Sequence, residues 1–308
     1  MLTKFDTMPD GWLAFELNIL RRLKFASIIL PFTPDPHLGS YLKRWNVRVL
    51  ANDPAQSAWI RAVGAIQNNG EKLSDEDVEI VLEDAYVPHY RLQNESLKKW
   101  FTETDAWWFD NVRQNVEKLG SPLARAIALS VGIEVGDYVL SFGEETRRLR
   151  QPLSKVFERL RSIQPEAFNN GQNNLCQNKS AAEFAAESST DSMFLRLSSV
   201  RFQKQNSGFN LWSEEWLRGD DKFWNDLETA QNGKLGTFTE TKSQHLSLLE
   251  EFLRTARHIP IWVIEHIENG FVSTQEIVET ISRVRRVDTM FSKDFSELTG
   301  AKAVIITA

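Results

Sequence analysis

At 308 residues, with 42% hydrophobic and 25% charged side chains, the chain has the composition of a large globular α/β domain, alone or with an inserted lobe. Its net charge of −6 argues against a protein held to nucleic acid by an overall basic balance. No apolar run reaches membrane-spanning length and residues 1–21 lack a basic-then-apolar leader, so no membrane is expected and the expected location is the cytoplasm.

In chain order, residues 11–25 predict an amphipathic helix, with Trp12, Leu13, Leu17, Ile19, Leu20 and Leu23 at helical spacing and Glu16 among them. Ser27 to Leu30 is a short β-branched run stopped by Pro31, which suits a buried parallel strand. A turn or two of helix over 39–44 leads to a second strand at 47–51, ending in Asn52-Asp53-Pro54, and a helix over 55–66 follows. Strand, crossover, strand, acidic end and helix open a doubly wound sheet. From Ser74 to Phe142 the pattern is helical without a strand, with Ser74-Asp75-Glu76-Asp77 as a capping start, a helix over 97–119 and another over 122–131. This stretch reads as an inserted helical lobe over 71–144, leaving 1–70 and 145–308 as the α/β domain.

Beyond a helix over 152–163 and a polar loop at 169–174, the sheet resumes. A weak strand at 174–177, a helix over 181–187 and a strand at 193–197 come first. Helices over 213–229 and 242–257 precede the strongest strand, at 259–264, and a helix over 274–282. Segments 287–291 and 302–307 are expected to form a closing antiparallel pair. Ten tryptophans, grouped near Trp100, Trp107 and Trp108 and near Trp212, Trp216 and Trp224, point to core packing or a protein interface. The basic stretches at 147–150, 159–161 and 283–286 read as solvated helix faces or turns. The single Cys176 permits no internal disulfide and no thiolate metal site, and no metal-ligand spacing appears, so no metal is expected.

Two loops carry the functional information. The first follows Leu30-Pro31-Phe32 as Thr33-Pro34-Asp35-Pro36, and the second follows Asp191-Ser192-Met193-Phe194-Leu195 as Arg196-Leu197-Ser198-Ser199. With Val49-Leu50-Ala51-Asn52-Asp53 between them, the order of elements resembles, remotely and over most of the chain, the Dam-type DNA adenine methyltransferases. That resemblance implies a Rossmann-like fold of the S-adenosylmethionine-dependent kind, a mixed sheet flanked by helices, and makes 71–144 a DNA-recognition-like lobe. It implies cofactor-binding positions at Pro31, Phe32 and Asp53, the last holding the cofactor ribose. It places Arg196, Leu197, Ser198 and Ser199 where the family has its catalytic D-P-P-Y.

The departures fall on the chemistry. Glycines of the family's P-F-x-G-x-G loop allow positive φ and close backbone approach, whereas prolines fix φ and remove N–H donors. The family's acid and aromatic accept from and stack on a flipped adenine, roles that a donor-only Arg196 and a ringless Ser199 do not preserve. Arg196 within an apolar strand is expected either to reach out of the strand's end or to pair with a carboxylate such as Asp35, Asp53 or Glu265. Asp53 has a second reading, as a strand terminator capping the next helix. The expected function is therefore a catalytically inactive methyltransferase-like protein acting in DNA recognition or as partner of a DNA-processing enzyme. No cofactor is expected; the alternative is a divergent but active enzyme that still uses S-adenosylmethionine. DNA, a protein partner or a second copy of the chain are the candidate partners.

Overall fold

The β-branched run after Phe25 becomes the centre of a seven-stranded sheet. In a computed structural model, which describes residues 11–84, 91–197, 211–237, 239–268, 272–299 and 302–308, the elements begin α1 (Trp12–Leu20), β1 (Ser27–Leu30), α2 (His37–Arg44), β2 (Arg48–Asn52) and α3 (Gln56–Ala62). A π-helical turn (Val63–Gln67) then leads to α4 (Asp75–Val81), a 3-10 turn (Glu95–Lys99), α5 (Glu103–Val116), α6 (Pro122–Leu140) and α7 (Leu153–Ile163). The second half runs β3 (Leu175–Gln177), α8 (Ala181–Glu187), β4 (Ser192–Arg196), α9 (Leu211–Arg218), α10 (Trp224–Gln231) and α11 (Lys242–Thr255). It closes with β5 (Ile261–Glu268), α12 (Thr274–Ser282), β6 (Thr289–Asp294), α13 (Ser296–Thr299) and β7 (Lys302–Thr307).

The strand order is β3-β2-β1-β4-β5-β7-β6. Strands β3, β2, β1, β4 and β5 are parallel, and β7 runs antiparallel between β5 and β6. The protein is thus an α/β fold, a mixed sheet flanked by helices and compatible with a Rossmann-like architecture. The order turns back between β1 and β4, so the crevice outside the C-terminal ends of those strands is where such sheets place ligands.

Strand alternation sends successive side chains to opposite faces. Ile28, Leu30, Val49, Phe194, Val263 and Ile305 face one core, covered by α1, α2, α3, α5, α6, α7 and α9. Ile29, Leu50, Met193, Leu195, Trp262 and Ile306 face the other, covered by α8, α11 and α12. The apolar residues of α5 and α6, among them Phe109, Val112, Val131 and Ile133, belong to the same cluster as the first sheet face.

Several boundaries depart from the sequence expectations for local reasons. The helix expected over 97–119 is a 3-10 turn followed by α5, because Thr102 accepts a hydrogen bond from Asp105 N and restarts the helix there. The helix expected over 213–229 divides into α9 and α10 at Gly219, whose φ is 88°. Residues after Ala62 widen into the π-helical turn, and α6 continues to Leu140. Ser74 does cap α4, with Asp77 completing the box.

Helix α6 also fixes α9. A Cβ built on Gly132 would stand 2.4 Å from the Trp216 ring, and one on Gly136 would stand 2.1 Å from the Trp212 ring. The two glycines admit the rings, and both tryptophans are buried. Gly136→Ala is expected to destabilise the fold by about 1–3 kcal/mol in urea denaturation, because overpacking outweighs alanine's better helix propensity. A neutral or stabilising effect would contradict this close packing.

Candidate functional site

In the register of β4 and β5, Arg196 stands beside Glu265, so the two side chains emerge together on the α1 face of the sheet. Helix α1 lies over that face and brings in Glu16 and Trp12; the loop after β1 brings in Asp35. Arg196 Nη2 donates to Glu16 Oε1 at 2.7 Å, Nε to Glu265 Oε2 at 3.1 Å, and Nη1 to Asp35 Oδ2 at 3.2 Å. The Trp12 indole N–H donates to the second oxygen of Glu265. Only Asp35 keeps substantial contact with solvent, its side chain being 33% exposed against 10% for Arg196, 1% for Glu265 and 0% for Glu16.

One guanidinium faces three carboxyl groups, and the balance is struck by a proton. Burial raises Glu16, repulsion from Glu265 raises it further, and attraction to Arg196 only partly offsets this, leaving its pKa at about 9. Glu16 is therefore a neutral acid at pH 7. Its Oε2 is buried with no hydrogen-bond partner, an environment that disfavours the ionised form. Burial opposes the charge on Arg196, but attraction to Glu16, Glu265 and Asp35 outweighs it and holds the guanidinium above its ordinary pKa.

The neighbouring positions are also engaged internally. Asp53 Oδ2 accepts from Thr33 N and Oδ1 from Ala55 N, each at 2.9 Å. Burial lifts Asp53 to about pKa 7 against the lowering effect of those two N–H groups, and the nearby charge of Glu214 adds to the rise. The first turn of α3 is capped from α9, where the buried Glu214 accepts from Gln56 N at 3.2 Å and from Ser57 N at 2.7 Å. Asn52 donates to Pro31 O at 3.1 Å, so buried Pro31 is held at its carbonyl. The half-buried Phe32 ring rests on Gly236, where a Cβ would stand 2.8 Å from the ring and φ is 93°. Glycine is required there.

The structure thus joins Arg196 to Asp35 and Glu265, two of its three expected partners, and not to Asp53, which follows β2 with β1 intervening before β4. Leu197 is buried and donates from its backbone N to Glu265 O at 3.0 Å. Ser198 and Ser199 lie outside the described residues. Cys176 is buried in β3, where burial raises its thiol to about pKa 12, so it is an inert thiol. His37 is exposed, and His266 is buried on the opposite face with Nε2 3.1 Å from Val272 O; neither enters the cluster. The residues that sequence reasoning passed over are Glu16 and Glu214. The signal for Glu16 was present, since it falls among the apolar positions of α1.

Among the described residues, no group of three or more His, Cys, Asp or Glu is arranged to hold a metal, and no helix is long and apolar enough to cross a membrane. Comparison with models of known protein families gives no match, and comparison with curated proteins gives none either.

The protonated state of Glu16 has a measurable consequence. Its folded pKa of about 9 lies above the ordinary 4.5, so the folded state holds a proton that the unfolded chain releases. The associated stability is fully present below pH 4.5 and is lost as pH rises toward 9. Glu16→Gln mimics the neutral acid and removes this loss. Urea denaturation at about pH 6 and about pH 8.5 should show the variant gaining on the wild type as pH rises. Parallel decline of the two proteins would mean that Glu16 is ionised in the folded state.

Proposed function

We propose that the chain is a methyltransferase-like α/β scaffold that does not catalyse methyl transfer and acts in DNA recognition or as partner of a DNA-processing enzyme. Support for the scaffold comes from the mixed sheet, its closing antiparallel pair and the turn-back between β1 and β4, all in keeping with the Dam-type resemblance of the sequence.

The observation that carries the loss of activity is the Arg196–Asp35 ion pair at 3.2 Å. Arg196 stands where the family has its catalytic acid, and Asp35 stands in the loop that would wrap the cofactor. Each replacement neutralises the other, with Glu265 and Glu16 completing the set. The residues present do not fit S-adenosylmethionine. The position of the family's catalytic acid is held by a donor-only guanidinium tied to Glu16, Asp35 and Glu265, which leaves it no free acceptor for a target amine. Retention of Asp53 would favour an active enzyme, but both its oxygens already accept backbone N–H groups. Removing one partner of a buried ion pair typically costs about 3–5 kcal/mol, so a ligand entering by displacing Arg196 or Glu265 must first overcome a penalty of that order.

Isothermal titration with S-adenosylmethionine tests the reading. No heat of binding is expected up to millimolar ligand, and no methyl should pass to adenine-containing duplex DNA from a labelled donor. Micromolar binding, or transfer that rises with enzyme concentration, would overturn it in favour of a divergent active methyltransferase.

A further inference from the structure

The acidic cluster lies at the C-terminal edge of the sheet; the opposite edge has the opposite sign. Between Glu16 and Asp53 the chain carries six cations and a single acid, Asp35, which is at the C-terminal edge. Arg21, Arg22 and Lys24 follow α1, while Arg44 and Arg48 flank the turn from α2 into β2. The first three precede β1 and the last two flank the start of β2, where Ser27 is in register with Arg48 and Arg48 N donates to Ala26 O at 2.9 Å, while the Arg22 guanidinium lies over the Phe291 ring of β6 at 5.3 Å. Arg21, Arg22, Lys24 and Arg44 are exposed, and among the described residues no carboxylate pairs with any of them.

The acids nearest this edge are already engaged. Asp191 accepts from the backbone N of Ala26 at 2.9 Å and of Ser27 at 2.8 Å. Glu250 takes both Arg254 and Arg283. Farther along the same edge, Arg285 donates to the carbonyls of Arg257, Ile259 and Pro260 ahead of β5, which holds exposed Arg257 and Arg286 on the same side. Asp288, just before β6, is an exposed acid on this side.

A basic last turn offsets the helix dipole, and that explains about one cation per helix. It does not explain three in the four residues after α1. From β2 to β6 the edge spans five strand intervals, about 24 Å, a length over which duplex DNA carries on the order of 14 phosphate charges. Four of these five cations are arginines, whose planar forks match phosphate oxygens, and Arg21 is held over the Trp45 ring at 4.9 Å. Exposed arginines spread along a sheet edge, with Arg21 over Trp45 and Arg22 over Phe291, fit a linear polyanion better than a compact acidic ligand.

We infer that the N-terminal edge of the sheet, centred on Arg21, Arg22, Lys24, Arg44 and Arg48, docks the phosphate backbone of a duplex nucleic acid. The surface is remote from the crevice that holds Arg196, and the inference rests on the DNA-recognition reading above only in its choice of polyanion. The contact is one of position rather than of base sequence, since it engages phosphates.

Fluorescence anisotropy with a short labelled DNA duplex, titrated from about 50 to about 200 mM salt, tests it. The triple variant Arg21→Ala/Arg22→Ala/Arg44→Ala should bind at least roughly tenfold more weakly, with a log–log salt slope shallower by about 2.7, or 0.9 per lost phosphate contact. The variant Arg147→Ala/Arg148→Ala/Arg159→Ala, which removes equal charge elsewhere, should match the wild type. Thermal unfolding of both variants establishes that they fold. Wild-type binding that the edge variant retains in full, or that the control variant loses instead, overturns this assignment and leaves DNA recognition standing. Absence of any wild-type binding at the lowest salt overturns both. Binding to phosphatidylserine vesicles without binding to duplex overturns the nucleic-acid assignment in favour of a membrane surface.

Discussion

The guanidinium of Arg196 is the interaction on which the C-terminal edge of the sheet depends. It is a nearly buried cation at the end of a central strand, and such a charge persists only when opposite charges and hydrogen bonds surround it. Here the partners come from three places in the chain: α1, the loop after β1 and β5. One side chain therefore closes the first loop, seats the N-terminal helix and joins two neighbouring strands. The proton on Glu16 makes this feasible, because with it the buried part of the cluster holds one cation and one anion instead of one cation and two anions. Trp12 completes the arrangement through the remaining oxygen of Glu265.

The same principle governs the rest of the crevice. Asp53 satisfies two backbone N–H groups, one in the loop after β1 and one in the turn before α3. Glu214 satisfies the start of α3, and α9 can deliver it only because Gly132 and Gly136 let two tryptophan rings lie against α6. Among the described residues, Asp53, Asn52 and Arg196 all have internal partners. Among the described residues, the exposed Arg21, Arg22 and Arg44 at the opposite sheet edge pair with no carboxylate.

Much of this was legible in the sequence, and the limits are physical. The run Ile28-Ile29-Leu30 before Pro31 and the apolar stretch around Val263 declared themselves as strands because β-branched residues bounded by proline or charge have few other buried uses. Arg196 declared itself as an anomaly, and the proximity of Asp35 and Glu265 followed from all three lying at strand ends. That Asp53 would not join them depends on strand order, with β1 lying between β2 and β4, and no local pattern encodes that order. Glu16 was hidden by distance, 180 residues from Arg196, although a glutamate on an apolar helical stripe is itself a sign of a buried partner. The division of α9 from α10 turned on one glycine in the left-handed region, which periodicity alone does not distinguish from a helical one.

The central claim is that the Arg196 cluster fills the crevice and is indifferent to a methyl donor. Two N–H groups report on it directly, the Arg196 Nε–H and the Trp12 indole Nε1–H, both bonded to Glu265. Nitrogen-15 NMR of these protons, with and without millimolar S-adenosylmethionine, is the most direct measurement. The account predicts that both resonances are protected from solvent exchange and unmoved by the ligand. Joint shifts or loss of protection on adding it would show that the cluster opens to admit a cofactor, and would contradict the account.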